Sequence, residues 1–137
     1  MDPTLASIGI LIFRVLYGIS LIPHGVAKTN KNANSQFKGF MKQLGVPPVF
    51  VDLSMIIEIL GGLLVIIGAI SLIVSIVLVL FFLGTIIVSK RMKKPFATGM
   101  NPGVDLDILF LAGAIILLLL GPGEFAILTG PQLYNLI

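Results

Sequence analysis

Residues 53–89 read LSMIIEILGGLLVIIGAISLIVSIVLVLFFLGTIIVS, a run of 37 residues in which Glu58 is the only charge. As one helix it would extend roughly 55 Å, far beyond the ~30 Å hydrocarbon layer of a bilayer. The run must therefore fold back on itself. Gly68-Ala69-Ile70-Ser71 is the natural hinge, because glycine weakens the helix and a small polar residue follows. This reading predicts two helices, about 53–69 and 71–89, joined by a very tight turn.

The rest of the chain supplies two more spans. Residues 5–23 form an apolar segment of 19 residues with Arg14 near its centre, and residues 104–120 form another, stopped by Gly121-Pro122-Gly123. Of the 137 residues, 57% are hydrophobic and only 11% charged, and the mean hydropathy is +1.12. Soluble domains average about 25% charged residues, so this is the composition of a membrane protein. The predicted fold is all-α: a polytopic four-helix membrane bundle, residues 1–137 forming a single membrane domain. A cleaved signal peptide is not expected. The only charge before the first apolar stretch is Asp2, and Arg14 would interrupt the hydrophobic region.

Charge distribution gives a direction. The loop 24–52 carries Lys28, Lys31, Lys38 and Lys42, and the loop 90–103 carries Lys90, Arg91, Lys93 and Lys94. The positive-inside rule places both loops in the cytoplasm and both termini outside, in a plasma membrane. A net charge of +3 confined to such loops is no signal for nucleic acid. Within the first loop, Phe37, Phe40, Met41 and Leu44 recur at helical spacing after Ser35, a residue able to cap a helix. They predict a short amphipathic helix over about 35–44, tethering the loop to the leaflet or serving as a lid or docking surface.

There is no cysteine and one histidine, which excludes disulfides, cysteine-ligated clusters and bis-histidine haem within one chain. No metal or covalent cofactor is expected. Chemistry must come from the few polar residues in the spans. Arg at the centre of a membrane helix costs roughly 2.5–3.5 kcal/mol unless a partner or water offsets it. Glu58 is the expected counter-charge, with Asp107 nearby and His24 at the mouth of a polar pocket in the cytoplasmic half. Each residue also has a purely structural reading. Arg14 and Glu58 can be a register-fixing ion pair, Asp105 a helix cap, His24 an interfacial side chain bonded to backbone, and Tyr17 a packing aromatic. The glycines permit close helix packing.

Taken in order, several short motifs resemble one family. They are Phe13-Arg14-Val15-Leu16-Tyr17-Gly18, His24-Gly25-x-x-Lys28, Gly39-Phe40…Leu44-Gly45-Val46-Pro47, Glu58-Ile59-Leu60-Gly61-Gly62 and the closing Gly121-Pro122-Gly123. Together with the acidic start of the fourth helix they make residues 8–123 similar to the DoxX family of small four-helix membrane proteins. Two departures stand out. An Asp pair opens the fourth helix where glutamate is the family's usual residue, and 14 residues follow Gly123.

The resemblance implies respiratory or redox chemistry at the membrane, since relatives include a subunit of a thiosulfate:quinone oxidoreductase. It implies a subunit of a quinone-linked system in which Arg14 or His24 holds a quinone oxygen and Glu58 or Asp107 relays the proton. The alternative is a non-catalytic scaffold subunit of a larger respiratory or oxidase complex, working with other membrane subunits or as a homo-oligomer. A carrier is the weaker third reading, because four short helices leave little room for alternating access. Thiosulfate capture would need cations on the outer face, whose segments carry only Asp2 and Glu124 as charged side chains.

Overall fold

In the computed structural model, residues 2–94, 96 and 103–126 are described; half of the second basic loop and most of the tail after Gly123 lie outside them. The described residues form five helices: α1 (Pro3–Ala27), α2 (Lys31–Gln43), α3 (Val49–Ile67), α4 (Ser71–Arg91) and α5 (Val104–Leu120). Three of them, α1, α3 and α4, are long and apolar enough to cross a membrane. With 17 residues, α5 is a little shorter and runs beside α4.

Local chemistry explains the boundaries and corrects three expected ones. Asp2 caps α1 by accepting the Thr4 N–H at 2.9 Å, with Pro3 in the first turn where it lacks nothing the helix needs. The helix does not stop at Pro23 but runs on to Ala27. The one N–H missing at Pro23 does not end it, and in the next turn Gly25 presses against the backbone of α3; a Cβ there would lie 2.9 Å from the Met55 carbonyl oxygen. The amphipathic helix begins at Lys31 rather than Ser35, since Asn30 caps it first, accepting from the N–H groups of Asn32 and Ala33. The second span starts at Val49, directly after Pro47-Pro48. Its reversal into α4 occupies only residues 68–70, with Gly68 at φ +75° and the β-branched Ile70 at φ +40°. A branched side chain in that left-handed region is strained, which is the cost of so short a turn.

Two antiparallel pairs make up the bundle. In the first, α1 and α3 meet along glycines. A Cβ on Gly18 would come within 2.5 Å of the Gly62 carbonyl oxygen, and one on Gly62 within 3.3 Å of that of Gly18. In the second, α4 and α5 join through the stacked rings of Phe82 and Phe110, 5.1 Å apart and 7° from parallel. Tyr17 of α1 ties the pairs together, donating its hydroxyl to the Phe110 carbonyl at 2.6 Å. Leu21, Leu78 and Ala114 fill the centre and are almost wholly buried. Outward lie long apolar side chains such as Leu80, Leu109 and Leu119, each more than 60% exposed, as lipid-facing residues are.

Candidate functional site

The expected pair of Arg14 with Glu58 does not form. An α-helical side chain leans toward its own helix N-terminus, which for Arg14 means away from the basic loops. The guanidinium, 1% exposed, donates to the carbonyls of Ile66 (3.3 Å) and Phe125 (2.5 Å) at the opposite end of the bundle, and its Nε has no partner among the described residues. Ile66 belongs to the last turn of α3, whose carbonyls lack helical partners and sit at the negative end of the helix dipole. The charge therefore closes the end of the bundle away from the basic loops, joining α1, α3 and the segment after α5.

Glu58 has another partner. Lys28, in the C-cap position of α1, reaches back into the bundle and places Nζ 2.6 Å from Glu58 Oε2 and 2.9 Å from Ser54 Oγ. Both members of the ion pair are largely buried, so the pair is shielded from solvent screening. His24 and Asp107 lie within electrostatic reach of the Glu58 carboxylate. The His24 ring stands edge-on to Phe110, 5.8 Å between centroids, and not on backbone near Pro23. Asp107 accepts the Ser89 hydroxyl at 2.7 Å, and Asp105 turns back to accept the Gly103 N–H at 2.9 Å, fixing the start of α5. Of the six residues picked out from sequence, Glu58, His24 and Asp107 gather at the basic end, Tyr17 and Asp105 hold helices in place, and Arg14 stands apart. Lys28, Ser54 and Ser89 went unrecognised. Lys28 could have been found by extending the first helix one turn beyond Pro23.

Beside this cluster is a cavity of about 560 Å³ between α2, α3 and α4. Its walls are mostly apolar: Phe37 and Met41 of α2, with Phe50, Ile57, Leu80 and Phe81 from the two transmembrane helices. Among the described residues its polar ones are Lys28, Ser54, Thr85 and Ser89. Leu80 and Phe50 are also half or more exposed on the outer surface, so the cavity opens sideways where lipid would lie. The short amphipathic helix is thus more than a tether. It walls the cavity, held there by Lys38 to Asp52 at 2.8 Å and by Asn34 to the other Asp52 oxygen at 3.1 Å. Among the described residues no cluster of histidine and carboxylates could hold a metal ion.

A small bundle of antiparallel membrane helices with a buried ion pair next to a lipid-facing cavity defines the class. The chain belongs to the DoxX family, whose model matches residues 9–91. It is 30% identical over 125 residues to the inner membrane protein YqjF of Escherichia coli, covering 90% of this chain and 92% of the relative. It is 34% identical over 115 residues to a Bacillus subtilis protein named "Putative oxidoreductase CatD", covering 83% and 80%. A third relative, the uncharacterized membrane protein Rv3486 of Mycobacterium tuberculosis, is 27% identical over 128 residues, covering 86% and 78%. No solved structure matches.

Proposed function

We propose that the protein is the membrane subunit of a quinone-linked oxidoreductase system and that the lateral cavity is its quinone site. The observation that carries this reading is the cavity itself. A volume of about 560 Å³ lies within the range of ligand pockets, roughly 300–1,000 Å³, and apolar walls with a few polar groups suit an aromatic head on an apolar tail. Lys28 would hold the head, since two of its three N–H bonds are made by Ser54 and Glu58 among the described residues. A quinone, when bound, supplies a two-electron, two-proton couple. The residues here offer Glu58, through Lys28, and Asp107, through Ser89, as proton-holding groups one hydrogen bond from the cavity. The relative named an oxidoreductase supports the redox reading. With no cysteine and one histidine in the chain, a separate redox subunit would deliver the electrons. The basic end, with Lys28, Lys31, Lys38, Lys42, Lys90 and Arg91, would face the cytoplasm.

The test is photolabelling of the reconstituted protein with an azido-quinone, with the adducts mapped by mass spectrometry. Adducts should concentrate on α2, the first half of α3 and the second half of α4. Gly84 lines the cavity, and a Cβ there meets nothing within 4 Å. Gly84→Leu should therefore abolish labelling and Gly84→Ala should spare it. Adducts scattered over the lipid-facing surface, unchanged by Gly84→Leu, would overturn the assignment.

A further inference from the structure

We infer that the cavity prefers a ligand head that donates hydrogen bonds, so that within a quinone couple it selects the hydroxyl-bearing reduced form. This rests on the reading of the cavity given above and adds the redox state of its ligand. The argument comes from the direction of the hydrogen bonds. Among the described residues, three that line the cavity carry hydroxyls, and a hydroxyl has one proton. Ser54 donates its proton to the Val51 carbonyl at 2.7 Å, Thr85 to the Phe82 carbonyl at 3.0 Å, and Ser89 to the Asp107 carboxylate at 2.7 Å. The Ser54 oxygen also accepts from Lys28. With their protons engaged, Thr85 and Ser89 can offer a ligand only lone pairs.

Among the described residues of the lining, Lys28 is the one side chain with an N–H or O–H still to give. It stands on the α1/α3 side of the cavity, whereas Thr85 and Ser89 are on α4. A ligand spanning the two sides thus meets a donor at one and acceptors at the other. An oxidised quinone presents carbonyl oxygens alone and would set lone pairs against lone pairs on the α4 side. A hydroquinone can donate a phenolic hydroxyl there and still accept from Lys28 with its other oxygen. One hydrogen bond made or missed in an apolar pocket is worth roughly tenfold in affinity. Ser89 should matter most, because its partner is a carboxylate and the residue is nearly buried, at 5% exposure.

The experiment is equilibrium binding to the full chain in lipid nanodiscs under anaerobic conditions. The probes are a short-tailed benzoquinone, its hydroquinone and the hydroquinone dimethyl ether. The hydroquinone should bind roughly tenfold more tightly than the quinone, and the ether no better than the quinone. Thr85→Val, which leaves the Ser89–Asp107 bond intact, and Ser89→Ala should each weaken the hydroquinone and leave the quinone unchanged. Equal binding of the two redox forms, or a preference that survives both substitutions, would overturn the selectivity while leaving the quinone site standing. Binding of none of the probes would overturn the quinone site and the selectivity together.

Discussion

Lys28 Nζ and Glu58 Oε2 lie 2.6 Å apart, although thirty residues of chain separate them. The pair fastens the end of α1 to the interior of α3 at the wall of the cavity. Removing one partner from such a pair leaves a buried charge uncompensated, which typically costs about 3–5 kcal/mol, whereas replacing both can be nearly neutral. Lys28→Met and Glu58→Leu should each lower the thermal midpoint in detergent sharply, and the double variant should recover most of the loss. Independent, additive losses would show that the two charges do not depend on each other.

Arg14 and Glu58, although both buried charges in the spans, belong to different ends of the bundle. Sites without shared partners add within about 0.5 kcal/mol. Arg14→Met and Glu58→Leu combined should therefore destabilise by the sum of the single effects. Non-additivity beyond that margin in the unfolding curves would restore the ion pair expected from sequence.

The glycine seam makes a steric prediction. Gly18→Ala would force a methyl group against the Gly62 carbonyl, and overpacking of this kind costs about 1–3 kcal/mol. Gly39→Ala, where a Cβ meets nothing within 4 Å, should be neutral or slightly stabilising. Unfolding midpoints measured side by side check the contrast.

Tyr17→Phe should cost only about 0.5–1.5 kcal/mol, because it removes one neutral hydrogen bond and keeps the ring packing against Phe110. A loss several times larger would mean that the hydroxyl does more than join α1 to α5.

Orientation is open to direct chemistry because the chain has no cysteine of its own. A single Lys42→Cys variant should react with a membrane-impermeant maleimide only after the cells are opened, and Asp2→Cys should react in intact cells. The reverse pattern would invert the proposed topology.

The fold was legible in the sequence because hydrophobic length is a blunt and reliable signal. Residues 53–89 are too long for one crossing, and the reversal at Gly68–Ile70 falls where a glycine can take a positive φ. The pairing of charges was not legible. Placing Arg14 with Glu58 assumed that the arginine reached toward the basic loops, but helical side chains lean the other way. The same lean carries Lys28 inward to Glu58, although by its position in the sequence Lys28 looks like one more solvated loop lysine. The cavity was hidden for a different reason. It depends on the spacing of α3 and α4 and on how Asn34, Lys38 and Asp52 seat α2 over the gap, none of which a hydrophobic pattern encodes.

The contact between Arg14 and the Phe125 carbonyl spans 111 residues of sequence. During synthesis the arginine is made 111 residues before its acceptor. Until residue 125 is made, α1 carries a guanidinium whose second acceptor does not yet exist. A chain stopped after α5 has all five described helices, but its guanidinium keeps only the Ile66 carbonyl. The segment after α5 thus acts as a clasp made late, giving the guanidinium its second acceptor only once all five described helices have been made.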